Sequence, residues 1–450
     1  MMAMLALPVL PEGKDGATAA DAVSGLLVLW CGIRLLRERR RPLSRTAAVV
    51  LGLPVVGLAL AAAGAASPGI GVSGLARYLQ IFVLVPAAVL LSMRGRADFR
   101  VVAWAFVGLA LWQGAVGVHQ YATGTGASYA GEDIRAVGTF GPTDVMGMAT
   151  VVSLGMVCAV GLALRPHAAG QRAASGLCAV VLVLPLAVSF SRGAWIATAV
   201  ACGLQVVLAG LRRAVTVFAA VAAVGVVLVG GLGIGSAMFQ QRISSITQVT
   251  DSPDRSVTDR YTMWAAAVDM WHEQPLTGVG LKGFPEFRDG HASLALSSGS
   301  DIGGVGTTYH KQPLLSPHNM YLLVLSEQGL VGLLTLAGSW LALLVCAVRG
   351  LVRVRREPGG PVRGPGELVP GPGGLAPGSR GLDCGLVACG VLVWVLVDFV
   401  YADIGGPSTV LTAVAFGLVA WWALADITSS SRASAEERAG TAVPEGGGAR

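Results

Sequence analysis

Runs of about twenty apolar residues recur along most of this chain, and they decide which folds are open to it. About 20 residues of helix cross a hydrocarbon core ~30 Å thick. In lipid, only helices and closed barrels satisfy every backbone N–H and C=O. The runs are continuous rather than alternating, which is the pattern of helices and not of barrel strands. Composition agrees, with 54% of the 450 residues hydrophobic and 13% charged, and a mean hydropathy of +0.66. The expected fold class is all-α, a polytopic transmembrane helical protein in contact with the lipid bilayer.

Eleven spans are expected, near 22–37, 46–66, 73–93, 101–120, 143–164, 174–190, 194–211, 214–238, 317–348, 382–400 and 407–425. The connection RLLRERRRPLSR, Arg34 to Arg45, holds six arginines and so belongs on the cytoplasmic side. Alternating from it places RGRADFR (94–100), the 165–172 turn, Arg212–Arg213, the 349–381 segment and the C-terminus on that same side. One topology thus sorts the basic clusters, and nucleic acid is not an expected partner. Three lysines stand against 29 arginines, with abundant Ala, Gly and Val. That usage fits a GC-rich coding sequence and a bacterial cytoplasmic membrane. The first 11 residues lack a basic n-region, so no cleavable signal peptide is expected.

The organisation follows. Residues 1–238 hold eight N-terminal transmembrane helices, 239–316 form a large structured extracytoplasmic loop, and 317–348 form a ninth span. Residues 349–381 are a Pro/Gly-rich cytoplasmic linker, 382–427 hold spans ten and eleven, and 428–450 read as a disordered cytoplasmic tail. Seven cysteines lie in or beside apolar runs without a CxxC pair, so they read as buried free thiols, with no disulfide and no metal site.

Three outward-facing stretches could carry chemistry. In SFSRGAWIA (189–197), Arg192 stands at the outer boundary between two apolar runs. It is either a snorkelling anchor or a fork for a phosphate, with Ser191 and Gly193 freeing the backbone beside it. In SVTDRYTMWAAAVDMWHEQPLTGVGLKGF (256–284), Ser256 and Asp259 have capping-box spacing. Trp264, Ala267, Val268 and Trp271 recur as an amphipathic surface helix, with Arg260 one turn before Trp264. The glycine-rich TGVGLKGF that follows is too generic to read as a nucleotide motif. In LSPHNMYLLVLSEQGLVG (315–332), His318 and Asn319 stand at the lip of a span that contains Glu327. An ionisable group inside a span is a functional candidate by default, and its structural alternative is a partner for a buried cation such as Arg77. No HExxH, Walker or metal-ligand spacing is found. Two guanidiniums and an imidazole on one face suit an anionic lipid headgroup and a general base.

These stretches, GTFGPTDVMG (138–147), SRGAW (191–195), RYTMW through PLTGVGLKGF (260–284) and HNMYLLVLSEQGLVGLL (318–334), resemble in order the O-antigen ligase and polymerase superfamily of bacterial membrane glycosyltransferases. The resemblance covers roughly residues 70–345. The chain departs from it at Pro142-Thr143-Asp144, where such proteins often have Pro-Asn. The resemblance implies transfer of a saccharide from an undecaprenyl-pyrophosphate-linked donor to a glycan or lipid acceptor, on the outer face of the membrane. It implies that Arg192 and Arg260 hold the pyrophosphate and that His318 acts on the acceptor hydroxyl, with no metal or other cofactor. Ser191, Asn319, Glu327 and Trp264 are further candidate substrate-binding residues. Other polysaccharide-assembly membrane proteins would be its partners. Two rival classes stay open: a multi-spanning transporter of a small anion or other solute, and a non-catalytic assembly component. Against the transporter, no internal repeat is visible and the polar groups gather at the outer face instead of the midplane.

Overall fold

The computed structural model describes residues 2–7, 18–38, 43–129, 135–164, 169–226, 255–292, 300–302, 309–311, 315–356 and 381–440. Its helices are α1 (Ala19–Glu38), α2 (Arg45–Ala63), α3 (Pro68–Leu79), α4 (Val85–Ser92), α5 (Arg96–Thr123), α6 (Gly147–Ala163), α7 (Ala169–Val181), α8 (Val183–Val188) and α9 (Arg192–Ala209). They continue with α10 (Leu211–Val226), α11 (Arg255–Glu273), α12 (Phe284–His291), α13 (Met320–Arg356), α14 (Leu382–Asp398) and α15 (Thr409–Gly440). Among the described residues, seven helical stretches are long and apolar enough to cross a membrane, and Gly147–Ala163 and Thr409–Ala425 are apolar but shorter. The span expected at 214–238 begins as α10, and residues 227–238 lie outside the described residues. The same holds for 357–380 of the linker, 441–450 of the tail and 239–254 of the large loop. α15 itself runs on to Gly440.

The departure from helix among the described residues is a small antiparallel sheet, β1 (Ser128–Tyr129), β2 (Ser300–Ile302) and β3 (Tyr309–Lys311), in that order. Ser128 pairs with Ile302 and Asp301 with His310. The connection after α5 is thereby joined to the one before α13. Extended connections leave their N–H and C=O groups unpaired, and a short sheet satisfies them.

Where helices cross, small residues let the backbones approach, as is usual where packing alone drives association in lipid. A Cβ at Gly57 of α2 would lie 2.7 Å from the Gly332 Cα of α13. Buried amides serve as glue in the same interior. Gln205 of α9 donates to Val157 O of α6 (2.9 Å) and Leu386 O of α14 (3.0 Å). On the face assigned to the cytoplasm, Arg100 forks onto the buried Asp383 at 2.6 and 3.2 Å, fixing the start of α14. All seven cysteines are free.

An aromatic cluster lies under the site described next. Trp340 of α13 packs against Phe399 (5.2 Å between centroids), Phe82 (5.6 Å) and Phe416 of α15 (6.0 Å, stacked). Such pairs add about 0.5–1.5 kcal/mol each beyond the area they bury. The cluster seats the end of α14 against α13 and α15, and the chain between α14 and α15 emerges from it.

Candidate active site

The connection from Phe399 to Ser408 is the hub of the side expected to face outward. Met320 N–H, at the start of α13, donates to both Phe399 O (2.8 Å) and Ala402 O (3.0 Å). Ser316 Oγ donates to Asp403 Oδ2 at 2.5 Å. Ser408 N–H donates to Asp144 Oδ2 (3.0 Å) and Arg77 donates to Gly406 O (3.3 Å). A Cβ at Gly193, one residue after Arg192, would lie 2.8 Å from the Tyr401 Cβ. Stretches from four distant parts of the sequence are therefore tied to one ten-residue connection.

His318 sits at this lip with φ 49°. A non-glycine residue in the left-handed region is costly and marks a place where the surroundings over-determine the backbone. Asn319 Oδ1 accepts from Leu322 N–H at 3.1 Å, which makes it the cap of α13. This cap accounts for Asn319, which is 7% exposed. His318 Nδ1 faces Asp403 Oδ2 at 3.8 Å, and the imidazole keeps 44% of its surface accessible against 6% for the carboxylate. That distance is too long for a direct hydrogen bond but close enough for strong electrostatic coupling. Burial lowers the His318 pKa from the ordinary imidazole range, Asp403 opposes the shift and Arg260 adds to it. The accessible part of the ring tempers the first effect. The neutral ring, able to accept a proton, is favoured at pH 7.

Arg260 lies in the first turns of α11, half-buried, within electrostatic range of both His318 and Asp398. Trp264, one turn on, donates its indole N–H to Pro317 O at 2.8 Å and so fastens α11 to the lip. The face that α11 buries is carried by Met263, Ala266, Ala267 and Met270; of the expected Trp264, Ala267, Val268 and Trp271, Ala267 lies on it and the other three are half-buried beside it. The tryptophans flank it, because each ring carries an N–H that needs an acceptor; that of Trp271 is Pro275 O at 3.2 Å. Ser256 is likewise inside the helix, which begins at Arg255, and so does not take the capping position that its spacing suggested.

Arg192 opens α9. Its neighbour Ser191 is the cap, accepting from Ala194 N–H at 3.3 Å, and is 3% exposed. The preceding residue, Phe190, has φ 51°. Each of the three outward stretches thus holds one non-glycine residue in the left-handed region, the third being Lys282 at 57°.

Glu327 has a different setting from the one expected. Arg77 pairs with Asp21 of α1, whereas Glu327 Oε1 accepts from Phe284 N–H at 3.2 Å. α13 is broken at Gly329, whose φ, ψ are 63°, −164°. A break at membrane depth is tolerated only where protein satisfies the freed backbone, and the segment Pro275–Leu281 does so. Val279 and Gly280 N–H donate to Ser326 and Glu327 O (2.9 and 3.0 Å). Pro275 and Leu276 O accept from Leu330 and Val331 N–H (2.9 and 3.2 Å). Two backbones meet so closely that a Cβ at Gly278 would lie 2.4 Å from Glu327 C, and Gly278 already has φ 66°. The glycine-rich stretch is a strap that repairs the broken helix, and Glu327 pins its end.

Sequence reasoning missed Asp403 and Asp398. Their signal was DFVYADIGG (398–406), two carboxylates at the boundary between the last two apolar helices, in a stretch too short to draw notice as a loop. Among the described residues no three His, Cys, Asp or Glu side chains converge as a cation's ligand set. The groups that do converge are an imidazole, a guanidinium and two carboxylates, which can move a proton and hold an anion.

No curated protein matches the chain. Residues 177–337 match the family model described as O-Antigen ligase. That segment holds Ser191, Arg192, Arg260, Trp264, His318, Asn319 and Glu327, whereas Asp398 and Asp403 lie beyond it. Through residues 177–337 the chain is similar to the O-antigen ligase superfamily, whose members are membrane glycosyltransferases of polysaccharide biosynthesis.

Proposed function

We propose that the chain transfers a saccharide from an undecaprenyl-pyrophosphate-linked donor to a hydroxyl of a glycan or lipid acceptor, on the extracytoplasmic side of the cytoplasmic membrane. The observation that carries this reading is the meeting of His318, Asp403 and Arg260 at one lip, with the start of α9 packed through Gly193, the residue after Arg192, on the same connection. Arg192 and Arg260 hold the pyrophosphate. Guanidiniums suit this role because their fixed donors match phosphate oxygens in pairs.

With Nδ1 turned to Asp403, His318 offers Nε2 to the acceptor. The acceptor O–H gives its proton to Nε2 as its oxygen forms a bond to the anomeric carbon. The bond between that carbon and the phosphate oxygen breaks, and its electron pair leaves with undecaprenyl pyrophosphate. Charge that develops on the leaving group falls on the two guanidiniums, placed beforehand where they are needed. Asp403 steadies the imidazolium, acting as a positioning residue. One displacement inverts the anomeric carbon. Ser191 and Asn319 serve as helix caps, Trp264 as the tie between α11 and the lip, and Glu327 as the pin of the strap.

A discontinuous α13 could also suit a transporter, since broken helices offer ions free carbonyls. Here the freed carbonyls of Ser326 and Glu327 are taken by the strap, which supports the transferase instead. The test is incubation of the purified chain in detergent with an undecaprenyl-pyrophosphate-linked oligosaccharide and a hydroxyl acceptor. Glycosylated acceptor and free undecaprenyl pyrophosphate are expected in equal amounts. Absence of transfer, together with solute flux in proteoliposomes, would favour the transporter.

A further inference from the structure

We propose that Tyr121 and Phe190 form a stacking platform for the donor's first sugar, a saccharide subsite beside the pyrophosphate. The inference rests on the proposed function. The two rings lie 5.9 Å apart, tilted by 43°. Tyr121, in the last turn of α5, is 42% exposed, and Phe190 is half-buried.

The backbone at Phe190 is the informative part. Its φ of 51° is one that glycine or asparagine would adopt with ease and that a bulky residue resists. The turn between α8 and α9 is nevertheless held tightly. Phe190 N–H donates to Ala187 O (3.2 Å), Ser189 Oγ to Leu186 O (2.7 Å) and Trp195 Nε1 to the same Leu186 O (2.7 Å). Across from it, Gln120 accepts from Val137 and Gly138 N–H (3.1 and 2.8 Å), and Ala136 N–H donates to Val188 O (3.2 Å). These bonds fasten the end of α5 to the α8–α9 junction and fix the two rings relative to each other. An aromatic side chain kept in a strained backbone, yet not taken into the core, is kept for what its ring presents.

The ligand follows from continuity. Arg192 lies two residues along from Phe190, and the sugar of the donor is bonded directly to the phosphate that Arg192 would hold. With Arg192 on the phosphate, the first sugar is placed beside the α8–α9 junction, where the two rings stand. Aromatic faces carry partial negative charge, and the C–H faces of a sugar ring present the complementary positive edge.

The experiment measures binding of two probes to the purified full chain in detergent, undecaprenyl pyrophosphate with its saccharide and undecaprenyl pyrophosphate alone. Phe190→Gly keeps the turn, because glycine accepts a positive φ, and removes the ring; Tyr121→Ala removes the other ring from outside the turn. Each should weaken the saccharide-bearing probe about tenfold, the scale of one aromatic contact, and leave the bare lipid pyrophosphate unchanged. Arg192→Ala should weaken both probes. Equal losses on both probes at Phe190 and Tyr121, or no loss on either, would overturn the platform. If Arg192→Ala spared both probes, the phosphate role would fail, and a saccharide-only loss at Phe190 would still stand.

Discussion

Replacing Glu327 separates two accounts of a carboxylate buried within a membrane-spanning helix. It is 3% exposed and accepts from Phe284 N–H at 3.2 Å, at the seam where the strap meets the break in α13. Glu327→Gln keeps an acceptor oxygen in the same place. A hydrogen bond to a charged acceptor is worth about 1.5–3 kcal/mol and a neutral one about 0.5–1.5 kcal/mol, so the cost is on the order of 1 kcal/mol. Glu327→Ala leaves a buried N–H without its acceptor, which costs about 1–3 kcal/mol, and opens a cavity besides. The assay pairs unfolding in detergent with the transfer rate of the folded fraction. Glu327→Gln should retain near-parental turnover with a slightly lowered unfolding midpoint, and Glu327→Ala should lower the midpoint more. A stable Glu327→Gln protein whose turnover falls by about a hundredfold, the scale of a lost general acid or base, would refute the structural role and make Glu327 a chemical group.

Arg192→Lys and Arg260→Lys each keep a cation but lose the fork, so each should weaken donor binding, and the double variant should be far from additive if both grip one pyrophosphate; additive losses would place them at separate sites. Asp403→Asn removes the charge that raises the His318 pKa, so the acid limb of the transfer rate should move to lower pH while the maximal rate falls. An unmoved limb would remove Asp403 from the environment of the base. Cysteines introduced at Gly290 and Pro361 should react from opposite sides of the membrane, whereas same-side labelling would dissolve the shared outer face of Arg192, Arg260 and His318.

Much of this was legible from residue pattern. Apolar run length gave the helices because lipid leaves a chain few other options. Arg192, Arg260 and His318 stood out because charges on the side expected to face outward need a reason. What the pattern could not show was partnership across long separations. Asp403 is 85 residues from His318, and no local periodicity links them. TGVGLKGF looked generic because its glycines answer to distant backbones, Gly278 to Glu327 of α13 and Gly280 to Gly64 at the end of α2. The partner of Glu327 was hidden for the same reason, since it is the Phe284 N–H of the main chain and sequence shows only side chains. Ser191 and Asn319 were visible as polar residues beside the key groups, but capping a helix and touching a substrate demand the same residue types.

The central claim is a division of labour in which the arginines bind and His318 moves the proton. Measuring donor binding and transfer rate separately for His318→Ala tests it most directly. The account predicts that affinity for the lipid-pyrophosphate-linked donor stays near the parental value while turnover drops by roughly 10²–10⁴-fold, the usual contribution of a general base. Lost donor binding, with turnover of whatever donor still binds left intact, would contradict it and make His318 a phosphate ligand.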